Sequence, residues 1–175
     1  MNIFVTDFCP IKSAQSLPDK HIVKMPLETC QMLSIILSSW YFDWGYISKK
    51  DGTPYNTEKG AFRNHPCTVW AGKTYENLAW LITHGIALCD EYTRRYNKQH
   101  SCLTGIREAG VIFKEKTGLE LSIHKNASNF VRAMPDDLKL DDTISTPRAY
   151  QIYIVSKIWT IKNYKDNNRP NWMVK

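Results

Sequence analysis

Two groups that can move protons or stabilise a cation stand seven residues apart in the segment Leu17-Pro18-Asp19-Lys20-His21-Ile22-Val23-Lys24-Met25-Pro26-Leu27-Glu28: the imidazole of His21 and the carboxylate of Glu28. Seven residues is about two helical turns. In a helix opening at Pro18, His21, Lys24, Glu28 and Gln31 form one row at spacings of three and four, and Ile22, Cys30, Leu33, Leu37 and Trp40 take the other side. Such a polar row is either solvent-facing surface or the floor of a site. The rest of the chain decides between them.

A helix from Pro18 to about Trp40 is expected, with Pro at its first turn and with Pro26 removing one backbone donor and bending it. Before it, Ile3 to Thr6 is extended and leads into a loop through Cys9-Pro10. Residues 43 to 63, with Lys49-Lys50-Asp51-Gly52-Thr53-Pro54, carry turn chemistry and no steady period, and read as a loop. A central helix is expected to start at Asn64-His65-Pro66 and to run through the stripe Tyr75, Leu78, Ile82, Ile86, Cys89, Tyr92 and Tyr96. A shorter one spans Leu103 to about Thr117, closed by Gly118 as a left-handed cap. After an irregular stretch from Leu119 to Asp142, Thr146 caps a last helix with Pro147 at its first position and a stripe of Tyr150, Ile154, Ile158, Ile161 and Tyr164. The fold expected is all-α: one domain over residues 1–175, of three to four helices with long connecting loops.

The chain is long enough to bury a core without staples. With 43% hydrophobic and 23% charged residues it has the composition of a soluble globular protein, and no apolar run reaches the length of a membrane span. Its start lacks the pattern of a secretory leader. Five cysteines at irregular spacing argue against a disulfide framework and fit a reducing cytoplasm. His65, Cys67, Cys89, His100 and Cys102 include no close-spaced cysteine pair, so no metal site is expected. Nor is a phosphate-cradling glycine loop present.

The net charge of +6 permits binding to a polyanion without demanding it. Its distribution is more specific. Lys157, Lys162, Lys165, Arg169 and Lys175 face the single acid Asp166 over the last nineteen residues, with Trp159, Tyr164 and Trp172 among them. Cations that neutralise phosphates, interleaved with rings that stack on bases, suit a nucleic-acid surface; a C-terminal helix with core aromatics and solvated lysines fits the same residues.

Four landmarks in this order resemble the pyrimidine-dimer DNA glycosylase family. They are Asp19-Lys20-His21 with Glu28 seven after the histidine, and His65 and Thr68 before a long helix ending near Arg94-Arg95-Tyr96. Met134-Pro135-Asp136-Asp137-Leu138-Lys139 before another helix and the tail Arg169-Pro170-Asn171-Trp172 complete the set. The resemblance implies a small helical enzyme, phage-encoded or bacterial and cytoplasmic, that binds double-stranded DNA as a monomer and needs no cofactor. It would cleave an N-glycosidic bond at damaged or modified pyrimidines and then nick the strand by elimination. In that family an N-terminal amine is the nucleophile and a glutamate at the position of Glu28 the essential carboxylate. An α-amine, with an ordinary pKa of about 7.7 to 8.0, is partly neutral at pH 7 and can attack the anomeric carbon.

Carried over residue by residue, the resemblance makes Glu28, His21 and Met1 the catalytic candidates. Asn2, Lys24, Arg63, His65, Lys162, Lys165, Arg169 and Trp172 become the DNA-binding ones. Two departures stand out. Asn2 occupies the place of the family's exposed threonine, which shifts the candidate amine to Met1 or leaves Glu28 to activate water. Leu27 replaces the arginine that precedes the family's glutamate, so Arg63 or Lys24 must supply that cation or the substrate differs. An N-glycosidase for another modified base or a free nucleotide, and a DNA-binding protein without catalysis, are the alternative readings.

Overall fold

The computed structural model describes residues 1–165 and 168–173, so Asp166 and Lys175 of the basic tail lie outside the described residues. In chain order the helices are α1 (Pro10–Gln15), α2 (Asp19–Leu37), α3 (Pro66–Ala71), α4 (Tyr75–Tyr96), α5 (Leu103–Thr117), a 3-10 segment Leu121–Asn126, α6 (Asp136–Lys139), α7 (Thr146–Val155), and 3-10 turns Ile158–Thr160 and Asn171–Met173. The architecture is all-α, as the periodicity indicates. Among the described residues only an isolated antiparallel bridge, Ser48 with Pro54, has β character. The four long helices expected are present as α2, α4, α5 and α7, and the short ones occupy stretches read as loop or as part of a longer helix.

Helix α2 runs through Pro26 without a break and stops at Leu37, short of Trp40. Its last carbonyls find donors in the following turn: the amide of Phe42 donates to Ile36 at 3.1 Å and that of Trp44 to Leu37 at 2.7 Å. Trp40 therefore sits in the loop, its indole donating to the Thr57 carbonyl at 2.8 Å. The expected central helix is two helices. Gly72 closes α3, and Thr74 opens α4 by accepting the Asn77 amide at 3.2 Å, a cap that lies inside the periodic stretch. Asn97 in the left-handed conformation ends α4, and Gly118 ends α5 as its sequence indicates.

The last helix departs most from expectation. Its cap is Ser145, one residue earlier than Thr146, and it ends at Val155 rather than continuing to Tyr164. The reason is local hydroxyl chemistry: Ser156 Oγ donates to the Tyr153 carbonyl at 2.8 Å, and Thr160 Oγ1 donates to Ile154 at 2.9 Å and to Lys157 at 2.7 Å. Ile158 and Ile161, assigned to the buried stripe, are 89% and 49% exposed.

Helix α4 is the axle, packed on α1, α2, α5 and the Leu121–Asn126 segment. At Gly85 the helices α2 and α4 approach so closely that a Cβ would stand 2.6 Å from Thr29 Cγ2. The end of α4 also holds a buried ionic knot. Arg95, whose side chain is fully excluded from solvent, bonds Asp19 at 2.8 Å, Glu91 at 2.7 Å and the carbonyls of Leu17 and Gln15 at 2.9 and 3.0 Å. It fixes the first turn of α2 to the last turn of α4. Replacing Arg95 by Met leaves Asp19 and Glu91 buried without that cation, and is expected to cost about 3 to 5 kcal/mol of unfolding free energy in urea titrations at pH 7.

Candidate active site

Helix α2 turns the row read from sequence inward: His21 and Glu28 are 7% and 6% exposed, and Lys24 reaches out to solvent beside them. They form one wall of a cleft of about 410 Å³. The extended chain start supplies a second wall through Met1, Asn2 and Phe4, and Ala133, Tyr153 and Trp159 supply a third. Glu28 is the only acid among the residues lining it.

The Glu28 carboxylate is held from two sides. Its Oε2 accepts the Asn2 amide at 2.9 Å and lies 3.7 Å from the amine of Met1; its Oε1 pairs with Lys24 Nζ at 3.0 Å. The structure thus brings Met1, Glu28, His21 and Lys24 together. His65 stands close by. Its Nδ1 accepts the Cys67 amide at 3.2 Å and caps α3, and burial together with the Met1 amine's charge lowers its pKa.

Asn2, expected on the DNA face, is buried. Its Nδ2 donates to the Ala133 carbonyl at 2.7 Å and its Oδ1 accepts the amides of Ile3 and Phe4 at 2.8 and 3.0 Å. Those two bonds fold the backbone back, and Phe4 adopts φ +40°, a conformation that side chains other than glycine and asparagine rarely take. Phe4 then stacks on His21 with centroids 4.0 Å apart, and Trp159 meets the imidazole edge-on at 5.5 Å. Burial, with the charges of Lys157 and Lys24 behind it, pushes the His21 pKa down to about 4. The ring is neutral at pH 7, and its Nδ1 is buried without a partner among the described residues.

The other sequence candidates lie elsewhere. Arg63 stacks 4.5 Å over Trp40 and donates to the carbonyls of Lys59 and Gly60, away from the cleft-lining residues. Leu27, at the position of the family's arginine, opens onto a separate hollow with Lys49, Lys50 and Tyr55. Lys162, Lys165 and Arg169 are exposed, Lys165 covering the Tyr96 ring at 4.5 Å and Arg169 donating to the Ile161 carbonyl at 2.5 Å. Trp172 is half-buried against the core and does not line the cleft. Phe4 and Tyr153 line it without having been named from the sequence; Lys20, part of the Asp19-Lys20-His21 landmark, and Trp159, among the rings of the basic tail, line it although neither was carried over as a site residue. The alternation of Lys157 and Trp159 with aromatic neighbours was the available signal. Among the described residues no group of three or more His, Cys, Asp or Glu side chains is placed to hold a metal ion, and no helix is long and apolar enough to cross a membrane.

The sequence profile of pyrimidine dimer DNA glycosylases matches residues 1–104, which include Met1, His21, Lys24, Glu28 and His65. The chain belongs to the pyrimidine dimer DNA glycosylase family. No curated protein and no solved structure gives a match. Family membership assigns the chain a DNA glycosylase's repair role, with DNA as its partner. The family match contains the acid, the amine and the imidazole; the third wall, from Ala133, Tyr153 and Trp159, lies beyond it.

The buried neutral imidazole has a measurable consequence. Below pH 6.5 the unfolded chain takes up a proton at His21 that the folded chain refuses until about pH 4, so folding stability falls as pH drops through that window. His21→Phe keeps an aromatic ring beside Phe4 and removes the titration. Between pH 6.5 and 4 the parent is expected to lose about 1.4 kcal/mol per pH unit more than the variant, read from urea midpoints at a series of pH values. Fully buried His84, lowered to about 3 by burial alone, leaves the same residual slope in both proteins.

Proposed function

We propose that the chain, acting as one helical domain over residues 1–175, removes damaged or modified pyrimidines from double-stranded DNA by N-glycosidic cleavage. Glu28 acts as the essential carboxylate, and the amine of Met1 as the nucleophile. One observation carries this reading: a buried carboxylate whose Oε2 stands 3.7 Å from the α-amine of Met1, in a cleft whose other lining residues include cations and rings and no second acid.

As the bond from the anomeric carbon to the base nitrogen breaks, positive charge develops on the sugar. Glu28 is placed to stabilise that charge and to accept a proton from the attacking amine. The amine nitrogen forms a bond to the anomeric carbon as the bond to the base breaks; the base leaves with the bonding pair and takes the proton that Glu28 accepted from the amine, and protonation of the ring oxygen by water opens the sugar to an iminium. The iminium acidifies the neighbouring C2′ proton. Its removal expels the 3′ phosphate, which is the lyase step, and water then releases the enzyme. Lys24, 3.0 Å from Oε1, keeps Glu28 in place from the solvent side and lies where a phosphate can approach. His21, neutral, can hydrogen-bond the sugar without adding a charge that would oppose the developing cation. Lys20, whose ammonium lies 5.0 Å over Trp159, and Lys157, 4.3 Å over Tyr153, extend the positive rim.

Glu28→Gln preserves shape and removes the charge. It is expected to lower cleavage of ultraviolet-irradiated duplex by at least about 100-fold while leaving duplex affinity within roughly threefold. An active Glu28→Gln protein would overturn the assignment. With the parent, borohydride is expected to trap a covalent adduct that peptide mapping places on the first peptide, and acetylation of the amine is expected to abolish it. Turnover with no trapped species and an intact abasic product would assign the nucleophile to water activated by Glu28.

A further inference from the structure

Two thiols from different helices meet outside the cleft, in a place the glycosylase chemistry does not use. Cys30 lies in the middle of α2, and Cys102 is the residue from which α5 starts. Gly105, in the first turn of α5, lets the two come together: a Cβ there would stand 2.7 Å from the Ser48 carbonyl oxygen and 3.7 Å from Cys30 Sγ. The Cys30 thiol donates to the Cys102 carbonyl at 3.6 Å, and the two side chains interact directly. Tyr55 Oη stands 4.0 Å from Cys102 Sγ.

The two sulfurs differ in what can reach them. Cys30 is fully buried. Cys102, 5% exposed, lines a hollow of about 530 Å³ with Leu27, Lys49, Lys50 and Tyr55, none of which borders the cleft of Glu28. Asp51, the one acid lining that hollow, is engaged by the amide and the hydroxyl of Thr53 at 3.0 and 2.6 Å.

They differ also in charge. A thiol that donates to its neighbour stabilises the neighbour's thiolate. The Cys30 thiol, with His100 beside it, holds the Cys102 pKa below the ordinary thiol value, and the same pairing together with burial pushes Cys30 up. The start of helix α5 adds its partial positive charge at Cys102. Cys67 and Cys89, by contrast, are pushed up to about 12 by burial. Thiolate character and access, the two conditions for oxidation, therefore coincide at Cys102, with a second thiol in reach.

We propose that Cys102 is a peroxide-reactive thiol and Cys30 its resolving partner, so that oxidation closes a disulfide between α2 and α5. The Cys102 thiolate attacks one oxygen of hydrogen peroxide, the O–O bond breaks, and the other oxygen leaves as hydroxide, which takes a proton from solvent; Cys102 becomes a sulfenic acid. Cys30 Sγ then forms the S–S bond as the S–O bond breaks, and the hydroxyl leaves as water with the Cys30 proton. The two thiols together lose two electrons and the peroxide gains them. The product is a covalent tie in the helix that carries Glu28.

The test uses the reduced, folded full chain at pH 7, hydrogen peroxide in small excess, and an N-ethylmaleimide quench. Cys102 is expected to lose its thiol at least about tenfold faster than Cys9, although Cys9 is the more exposed of the two. The intact mass is expected to fall by two hydrogens, and proteolysis to yield peptides joined through Cys30 and Cys102 that dithiothreitol separates. Cys30→Ser is expected to leave the sulfenic acid unresolved, so that dimedone labels Cys102, and Cys102→Ser to abolish both the bridge and the label. Oxidation of Cys9 ahead of Cys102, a bridge to Cys89 instead of Cys30, or Cys102 carried to sulfinic acid with no bridge overturns the proposal. All three are read on the unsubstituted chain, so they stand even where a variant fails to fold.

Discussion

A carboxylate taken out of water has to be given donors, and the path of the chain start follows from that requirement at Glu28. Removing an ion from water costs several kcal/mol even after relaxation. Glu28 recovers this through the Asn2 amide, the nearby Met1 amine and the Lys24 ammonium. Bringing the first two residues to α2 leaves the Asn2 side chain inside. Its amide group then bonds Ala133 and bends the next two residues around its own oxygen. The bend puts Phe4 in a left-handed conformation and its ring on His21. A single buried charge thus sets the amine, the strained backbone and the aromatic cover of the imidazole.

That arrangement is only as rigid as α2, which is clamped twice. Asp19 in its first turn is bound by Arg95 from α4, and farther along Gly85 lets α4 come against Thr29, the residue next to Glu28. The first clamp is ionic and directional, the second steric and short-ranged. Together they fix both the start of the helix and the depth of the carboxylate. Arg132 performs a comparable service on the opposite wall, donating to the carbonyls of Leu138, Asp141 and Ile144 and so shaping the irregular chain next to Ala133.

What the sequence discloses is what local periodicity and capping control. The row from His21 to Glu28, the end of α5 at Gly118 and the loop over residues 43–63 are visible because each depends on neighbours within a turn or two. The break at Gly72–Thr74 was equally local, but the apolar stripe continued across it and hid the cap. The end of α7 depended on Thr160 reaching back six residues to Ile154, a contact that no helical spacing announces. The burial of Asn2 was hidden because it follows from the position of Ala133, 131 residues away. The pairing of an aromatic from the turn after α7 with the imidazole of α2 is likewise tertiary.

The same division between local and distant residues separates two tasks in the cleft. Residues 1–104 hold the acid, the amine and the imidazole, groups that any N-glycosidic cleavage by this route needs whatever base is leaving. The opposite wall, made by Ala133, Tyr153 and Trp159, lies beyond that match and presents two rings to the cleft, with Lys157 over Tyr153. Leu27 fits the same logic. It lines a separate hollow with Lys49, Lys50 and Tyr55 and is not among the residues lining the cleft of Glu28. Under the proposed function, choice of lesion rests with the residues after 104, and the chemistry with those before it.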